Sequence, residues 1–398
     1  MNDLSYLDEE LELLVKQSLK REIKTVISAC GPWVELSGGK RVLQFGSNNY
    51  LSLANHPELI NAAKAALGKY GVGSSGSRLL SGTTELHSQL EKTIADFESS
   101  ESAIFFSSGY LTNVGVISAL AGKEDVIFSD EYNHASIIDG IRLSGSRTFI
   151  YKHNDMNDLE NLIKENSVSY RNRFIVTDTV FSMDGDIARL GEIGRLSKKY
   201  NCITLADEAH ATGIFGQKST GVVEELGLSE FFPVRTGTSS KALGVEGGFC
   251  VGPHNVIEYL KNKARTFMFS TSSSPGVIAA ILKSLDFIKD GNWRKEKLWQ
   301  NAKNLHTGLK KNYKLKLNDF TSPIIVVYFN STEEMLHVSE RLFNECHIWA
   351  PAIRPPSVKQ PRIRLTPIST HTDDDVNYLI RAFEYISKDI KAEPVLSI

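Results

Sequence analysis

The sequence predicts an α/β protein with a large domain built on a mainly parallel sheet and a smaller α+β domain at its carboxyl end. Between about residues 100 and 250, short apolar and β-branched runs alternate with amphipathic helical patterns, which is typical of a sheet covered by helices on both faces. Beyond Gly252 the pattern changes to long helices, and then to strands such as PIIVVYF and RIRLT mixed with two further helices. We therefore predict an arm and hairpin at 1–45, a large domain at 46–285 and a small domain at 286–398.

The bulk composition is that of an ordinary soluble enzyme. Hydrophobic residues make up 41% of the 398 residues and charged residues 23%, as in typical globular proteins. The formal net charge of −2 argues against nucleic acid or an anionic membrane as the main partner, and no apolar run is long enough to span a bilayer. The acidic amino-terminal stretch lacks a signal-peptide pattern, and the four scattered cysteines show no metal spacing. We expect a cytoplasmic enzyme with no metal site.

The amino-terminal part contains three recognisable patterns. The first predicts a helix over about 6–25, acidic at its start and basic at its end, which would form an arm on another domain or subunit. The second is Gly38-Gly39-Lys40, which predicts a hairpin turn between WVEL and RVLQF. The third is the G-x-G-x-x-G string at 71–76. A dinucleotide site needs a strand before this string, whereas the preceding PELINAAKAALGKY is helical, so we predict a hydroxyl-rich active-site loop instead.

The strand-to-helix turns of the large domain supply candidate binding groups. The strand predicted at 103–106 is followed by Ser107-Ser108-Gly109-Tyr110 and a helix at 111–120. Such a turn presents backbone N–H groups and the positive end of a helix dipole, so it predicts a phosphate seat. His134 lies in a loop before the next helix, and Ser182 follows the strand at 174–177. The His134 ring would lie flat over a planar cofactor, and the alternative is a solvated loop histidine.

The stretch 201–248 places a carboxylate, an imidazole, a hydroxyl and an amine near two predicted strand ends. The run at 202–206 stops at Asp207-Glu208-Ala209-His210, and a strand that ends in charged residues usually opens onto a cleft. A second short strand at 233–237 ends just before Thr238 and Lys241. A lysine that follows Thr-Ser-Ser and precedes a glycine-rich turn is well placed to form an imine, which is the chemistry of pyridoxal phosphate (PLP).

Each of these groups has a physical role in that chemistry. PLP draws electrons from a substrate better when its ring nitrogen stays protonated, and a buried Asp207 would hold that proton. Opposite charges about 4 Å apart attract by about 4 kcal/mol at an effective dielectric near 20. His210 would reach the phenolic oxygen, and Thr238 would give its hydroxyl to the phosphate. Nucleotide-driven motors also carry DEAH at a strand end, but this chain has no G-x-x-x-x-G-K-[ST] phosphate loop.

Taken together, these segments resemble the α-oxoamine synthases, which are PLP enzymes of the aspartate-aminotransferase fold type that condense an amino acid with an acyl thioester. The matching motifs cover nearly the whole chain in the family's order: SNNYLSL, GSRLLSGTTELHSQLE, SSGYLTN, NHASIIDG, VFSMDGD, DEAHATG, TGTSSKALG with the following GG, FSTSSSP and RIRLTPISTHT. The resemblance implies the PLP-dependent transferase fold and pyridoxal 5'-phosphate as the cofactor. The chain departs from the family after its RPP element, where it reads SVKQPRIR, lacks the usual glycine and is shorter.

The resemblance also implies roles for individual residues. The implied catalytic residues are Lys241 as the imine-forming amine, Asp207 as the partner of the pyridine nitrogen, His210 as the donor to the phenolic oxygen, and His134 as the stacking ring. Further cofactor contacts are implied for the backbone of Gly109 and Tyr110, for Thr238 and Ser182, and for Ser270 and Thr271 reaching a neighbouring subunit's phosphate. Substrate contacts are implied for Asn48 near the imine, for His134, for Arg364 holding the amino-acid carboxylate in a bidentate pair, and for Arg21 and Ser357 on the acyl donor. The alternative for Arg364 is a solvated strand arginine.

Within the family, AIRPPSV followed by RIRLT most resembles the biotin-pathway branch. This implies that L-alanine condenses with a pimeloyl thioester of CoA or of a carrier protein, with loss of CO2 and of the thiol, in a homodimer with shared sites. The Lys241 amine would remove the Cα proton as general base. One alternative is a glycine C-acetyltransferase, which uses glycine and acetyl-CoA. Another is a non-catalytic partner subunit, against which the presence of Lys241 and its neighbours argues.

Overall fold

The described residues divide into two compact units. The structure is a computed structural model that describes residues 4–166, 170–290, 293–312 and 314–387. Residues 48–182 and 186–295 form the large unit, whereas residues 4–47, 183–185 and 296–387 form the small unit. The boundaries expected from the sequence lay at 45 and 285, and the amino-terminal arm was expected to form a segment of its own. In the structure the arm belongs to the same unit as the carboxyl-terminal part.

The helices and strands follow the α/β pattern that the sequence predicts. In chain order the helices are α1 (Tyr6–Lys16), α2 (Pro57–Tyr70), α3 (Glu85–Phe97), α4 (Gly109–Leu120), α5 (Ala135–Ser144), α6 (Met156–Asn166), α7 (Leu190–Tyr200), α8 (Val222–Glu225), α9 (His254–Lys263), α10 (Arg265–Met268), α11 (Pro275–Asp290), α12 (Trp293–Lys310), α13 (Thr332–Asn344) and α14 (Asp373–Ile386). The strands are β1 (Trp33–Glu35), β2 (Arg41–Gln44), β3 (Ser102–Phe106), β4 (Val126–Asp130), β5 (Arg147–Tyr151), β6 (Arg173–Asp178), β7 (Ile203–Asp207), β8 (Val234–Thr238), β9 (Gly248–Gly252), β10 (Lys316–Leu317), β11 (Ile325–Tyr328), β12 (Ile348–Trp349), β13 (Ala352–Ile353) and β14 (Arg362–Leu365). Among the described residues, no helix is both long enough and apolar enough to cross a membrane.

A mainly parallel sheet forms the centre of the large unit. Its strand order is β3-β9-β8-β7-β6-β4-β5, and β9 runs antiparallel to both of its neighbours while the remaining pairs are parallel. Every residue of β4 and β8 is buried, because helices cover both faces of a parallel sheet. The parallel register sets Asp178 of β6 opposite Asp207 of β7. The carboxyl ends of neighbouring strands therefore bring polar side chains to one edge.

Helix α4 is held firmly against α5 beside this edge. The Ser108 hydroxyl caps its first turn by accepting the Leu111 N–H at 3.1 Å, and its middle residues from Thr112 to Ile117 are buried. A Cβ on Gly140 of α5 would lie 2.9 Å from the carbonyl oxygen of Asn113. The two helices can approach this closely because Gly140 has no side chain.

The small unit joins the two ends of the chain. Strand β2 pairs antiparallel with β1 and parallel with β12, which is why the arm and hairpin share a unit with the carboxyl-terminal part. A second sheet has the order β10-β11-β14-β13. The turn Met183–Gly185 also belongs here, since Asn318 Nδ2 donates to the Asp184 carbonyl at 2.9 Å and the Ser322 hydroxyl donates to the Gly185 carbonyl at 2.6 Å.

The predicted helix at 6–25 is wrong in its second half. Helix α1 ends at Lys16, and the chain leaves it through Ser18, which has a positive φ of 57°. The following KREIKTV stretch runs along the hairpin, where the Ile27 N–H donates to the Glu35 carbonyl and the Ser37 N–H donates to the Thr25 carbonyl, both at 2.8 Å. Backbone pairing with the hairpin thus replaces the helical hydrogen bonds that the charge pattern suggested.

Candidate active site

Asp207 is a buried carboxylate at the carboxyl end of β7. The residue is only 5% exposed. Its Oδ1 accepts the Ala209 N–H at 2.8 Å and its Oδ2 accepts the Asn113 Nδ2–H at 2.6 Å. These two hydrogen bonds fix the orientation of the carboxyl group. The position is suited to holding a proton on a cationic ring nitrogen.

His134 caps the amino end of α5 beside Asp207. Its backbone N–H donates to Asp178 Oδ2 at 2.7 Å, and its Nδ1 lies 2.8 Å from the Ser136 hydroxyl. Burial lowers the pKa of the His134 imidazole; the Asp207 charge opposes this effect and the Lys241 charge adds to it. The same two charges act on Asp178. The predicted residues His134, Asp207 and Lys241 therefore meet in one electrostatic cluster.

Asp178 is a second buried acid in this cluster. Burial and the neighbouring Asp207 charge raise its pKa well above the usual range, against the opposing effects of the His134 N–H and of Lys241. A raised pKa favours the protonated form of Asp178. Two acids at adjacent strand ends thus have different roles, and Asp178 holds the loop that carries His134.

His210 lies in the turn after β7 and is also buried. Its Nδ1 lies 2.8 Å from the hydroxyl of Tyr50, with the two rings edge to face. The tyrosine belongs to the SNNYLSL motif, in which Asn48 is half-buried. Contact with Tyr50 fixes the orientation of the His210 ring.

The residues around the start of α4 fit the phosphate end of PLP. A Cβ on Gly109 would lie 3.1 Å from Thr238 Cβ and Oγ1, and a Cβ on Gly248 would lie 2.6 Å from Gly109 Cα. These glycines keep space at the positive end of a helix, where backbone N–H groups bind anions. The Thr238 hydroxyl donates to the Gly247 carbonyl at 2.7 Å and lies 2.8 Å from the Ser240 hydroxyl. A buried acid, a lysine and this seat together form the donor set that PLP requires.

Four further predicted residues, Tyr110, Ser182, Ser270 and Thr271, also belong to the large unit. The Tyr110 hydroxyl donates to Asp139, and its ring meets that of His134 edge to face at 6.4 Å. Ser182 is half-buried after the end of β6. Thr271 forms a backbone bridge with Ser77, and the Ser74 hydroxyl donates to the Ser272 carbonyl at 2.7 Å. The hydroxyl-rich loop therefore packs on the segment that contains Ser270 and Thr271.

The small unit contains the predicted substrate residues Arg21, Ser357 and Arg364. Arg21 Nη2 donates to the Ser357 hydroxyl at 2.9 Å, and both residues line a cavity of about 860 Å³ whose apolar wall includes Phe343 and Trp349. Arg364 lies in β14 and is only 6% exposed. The alternative of a solvated strand arginine is therefore wrong, because both faces of this strand are covered.

Sequence reasoning missed the residues that hold these groups in place. Asn113 contacts Asp207, Ser136 contacts His134, and Tyr50 contacts His210. All three lie inside motifs that were already noticed, SSGYLTN, NHASIIDG and SNNYLSL. A polar residue at a position where a helix or strand should bury an apolar one would have been the signal, since buried polar groups require partners.

The chain matches the model of a known family. Residues 40–383 match the family described as aminotransferase class I and II. The 8-amino-7-oxononanoate synthase of Thermoanaerobacter pseudethanolicus is 40% identical over 392 residues, covering 98% of each chain. The 8-amino-7-oxononanoate synthase 2 of Bacillus subtilis is 42% identical over 388 residues, covering 97% of this chain and 98% of the relative.

Solved structures show the same fold. A serine palmitoyltransferase variant from S. paucimobilis with a bound PLP–myriocin aldimine has a TM-score of 0.92 at 30% identity, covering 98% of this chain and 99% of the other. The 8-amino-7-oxononanoate synthase of Francisella tularensis has a TM-score of 0.76 at 29% identity, covering 88% and 98%. The predicted PLP-dependent transferase fold and the PLP cofactor are thereby confirmed.

Proposed function

The chain belongs to the aminotransferase class I and II family and, within it, to the 8-amino-7-oxononanoate synthases. We therefore propose that it condenses L-alanine with a pimeloyl thioester to give 8-amino-7-oxononanoate, CO2 and a free thiol, as a step of biotin biosynthesis. The enzyme is a PLP-dependent acyltransferase. The observation that carries the proposal is the cluster of Lys241, His134 and the buried Asp207 at the strand ends.

The residues of the large unit perform the proton chemistry. PLP, when bound, supplies an electron sink for the negative charge that develops on the alanine Cα. Asp207 holds the proton on the pyridine nitrogen through a charge-assisted hydrogen bond, and His210 donates to the phenolic oxygen. The Lys241 amine removes the Cα proton as general base. The His134 ring covers the cofactor, and Asn48 contacts the reacting end.

Two groups of residues bind the substrates. Arg364 holds the alanine carboxylate, for which a buried, planar guanidinium is well suited. Arg21 and Ser357 contact the acyl donor, and their cavity supports this role because its wall is apolar along Phe343 and Trp349 while Lys20 and Lys24 add positive charge. An apolar wall suits the methylene chain of the acyl group, and the cations suit the phosphates of its carrier.

A cytoplasmic homodimer with shared sites completes the proposal. Ser270 and Thr271 would reach the phosphate bound by a neighbouring subunit. Beside them, Val72, Leu80 and Phe269 are 81%, 87% and 70% exposed. Large apolar side chains left exposed in a group are typical of a surface that another protein covers.

The proposal is tested by the mass of the product. Purified protein with PLP, L-alanine and pimeloyl-CoA should release free thiol and CO2 and form a compound with the mass of 8-amino-7-oxononanoate. Lys241→Ala should lose the visible absorbance of the PLP-loaded enzyme and lower kcat by about 10²- to 10⁴-fold or more, since it removes the general base. Parallel reactions with glycine and acetyl-CoA identify a glycine C-acetyltransferase. Turnover with that pair but not with alanine would contradict the proposal, as would normal turnover by Lys241→Ala.

A further inference from the structure

Asn113 uses both amide hydrogens and its amide oxygen for hydrogen bonds inside the active-site region. Its Nδ2 donates to Asp207 Oδ2 at 2.6 Å and to the Ser136 hydroxyl at 2.9 Å, while its Oδ1 accepts the Thr236 hydroxyl at 2.8 Å. All four residues are buried. From the middle of α4, Asn113 therefore contacts the end of β7 through Asp207, strand β8 through Thr236, and the first turn of α5 through Ser136.

The orientation of this amide is tied to the charge of Asp207. An ionised carboxylate can only accept hydrogen bonds, so the amide must turn its NH2 group toward Asp207 and its oxygen toward the Thr236 hydroxyl. The opposite orientation would set the amide oxygen against the carboxylate at 2.6 Å. It would also take the donor away from Ser136. The observed arrangement thus points an amide donor at Asp207 Oδ2 and fixes the orientation of the carboxyl group.

The same amide determines which nitrogen of His134 carries the proton. Because the Ser136 hydroxyl already accepts from Asn113, its own hydrogen is available for His134 Nδ1 at 2.8 Å. The backbone N–H of Ser136 also points to this Nδ1, at 3.3 Å. A ring nitrogen that faces two donors must be the acceptor, so the proton of the neutral ring lies on Nε2.

We propose that Asn113 is a positioning residue that orients the Asp207 carboxyl group and, through Ser136, keeps the His134 ring neutral with its proton on Nε2. The two effects support each other. An imidazolium stacked on the cofactor would repel the cationic pyridine nitrogen that Asp207 is there to stabilise, whereas a neutral ring does not. The inference rests on the proposed function for the identity of the cofactor.

The close packing of α4 on α5 makes this arrangement rigid. The Asn113 carbonyl oxygen would be 2.9 Å from a Cβ on Gly140, so the backbone that carries Asn113 has no room to shift toward α5. The distances to Ser136 and Asp207 are therefore set by the fold rather than by side-chain flexibility.

The test compares three variants of the full-length protein with the wild type. Asn113→Ala removes the amide, Asn113→Leu keeps its approximate size but has no hydrogen-bonding group, and Ser118→Ala is the control on the same helix, since its hydroxyl donates to Val114 of its own helix. Ring ¹⁵N chemical shifts of the ten histidines are measured without PLP, with the His134 signal assigned by its loss in His134→Gln. PLP affinity is measured by equilibrium titration, and folding is followed by thermal unfolding.

In the wild type and in Ser118→Ala we expect an unprotonated Nδ1 and a protonated Nε2 on His134. In both Asn113 variants we expect a mixture of the two tautomers and PLP binding weaker by about 10- to 100-fold, the range expected when a hydrogen bond to a charged group is lost. If the Asn113 variants keep the Nε2 tautomer and bind PLP within about twofold of the wild type, or lose only thermal stability, the inference is overturned. A wild type that fails to bind PLP would instead overturn the proposed function.

Discussion

His153 lies between two carboxylates in the loop after β5. Its Nδ1 is 2.9 Å from Asp130 Oδ1 and its Nε2 is 2.8 Å from Asp186 Oδ2, and the Tyr132 ring stacks on it at 4.3 Å. Asp130 Oδ1 also accepts the Tyr132 N–H at 2.8 Å. These contacts hold the loop that leads to His134, so a single ionised side chain helps to position the ring that covers the cofactor.

His153 should make the stability of the protein depend on pH in the alkaline range. Burial lowers its pKa, but the hydrogen bonds and charges of Asp130 and Asp186 outweigh this effect and raise the pKa from 6.5 to about 10. A raised pKa means that the contribution is fully present below pH 6.5 and is lost as the pH rises from 6.5 toward about 10. Its upper bound is about 5 kcal/mol. We expect His153→Asn to be less stable than the wild type at pH 6, with the difference shrinking toward pH 10, as measured by urea unfolding at a series of pH values.

The control for this prediction is His337→Asn, which replaces an exposed histidine of α13. It should follow the wild-type pH dependence throughout. If the difference between His153→Asn and the wild type is the same at pH 6 and pH 10, the ionised contact contributes nothing and the assignment of its role is wrong.

At the residue scale, the sequence could identify side chains that perform chemistry but not those that hold them. Asp207 and Lys241 follow short runs that predict strands. Because the carboxyl ends of parallel strands lie at one edge of a sheet, the sequence predicts that the two side chains are near each other. Asn113 lies 94 positions from Asp207, inside a helix where only the packing of α4 on the sheet decides which way it faces. A hydrogen bond between residues so far apart in the sequence leaves no local sequence pattern that could predict it.

The amino end of α4 is the element on which cofactor affinity should depend most. Gly109→Ala would improve the helix propensity of the position by up to about 1 kcal/mol, but its Cβ would lie 3.1 Å from Thr238. Overpacking of this kind costs about 1–3 kcal/mol, so the cofactor-free protein should unfold at a slightly lower temperature. Because the added Cβ and the displaced Thr238 side chain also take space at the phosphate seat, we expect PLP binding to weaken by about 5- to 100-fold.

Gly191→Ala is the matched control for that prediction. It lies in α7, where an added Cβ would meet no atom within 4 Å, so it should stabilise the helix slightly and leave PLP affinity unchanged. Equal loss of PLP affinity in both variants would show that helix stiffness, rather than the space at the phosphate seat, controls binding.

At the element scale, the sequence predicted helices best where a cap and an apolar stripe agreed. The amphipathic pattern of LGEIGRLSKKY predicts a helix at 190–200, and α7 spans Leu190–Tyr200. The pattern over 256–267 predicts one helix, but the structure has two, α9 and α10, because Ala264 between them adopts an extended conformation with ψ of 103°. Alanine has high helix propensity, so no local signal marks this break, and tertiary packing of the fully buried Ala264 decides it.

At the scale of the whole molecule, the fold identifies the cofactor chemistry but does not select the substrate. Serine palmitoyltransferase and 8-amino-7-oxononanoate synthase structures share this backbone, although their names refer to different products. Substrate choice must therefore come from side chains rather than from the fold, and the cavity lined by Arg21 and Ser357 is the proposed place for it. The shortened segment SVKQPRIR departs from the family's pattern next to Ser357, so the resemblance predicts substrate preference less directly than PLP binding.

The proposed dimer can be tested on the exposed apolar group near Thr271. Leu80→Asp introduces a charge at a side chain that is 87% exposed in the single chain, and burying an unpaired charge in an interface costs several kcal/mol. We expect this variant to sediment as a monomer at concentrations where the wild type is a dimer, and to lose PLP on dilution. Leu226→Asp, at an exposed site after α8, should change neither property. A Leu80→Asp protein that remains dimeric would place the interface elsewhere.

The small unit is assembled from the two ends of the chain and from a turn in its middle. Strand β2 has its neighbour β12 close to the other end of the polypeptide, and the side chains of Arg21 and Ser357 meet although 336 positions separate them. During synthesis, Leu43 of β2 leaves the ribosome well before Ile348, its neighbour in β12. A chain that stopped before β12 would therefore leave one edge of β2 unpaired and the apolar Leu43 side chain without its native packing.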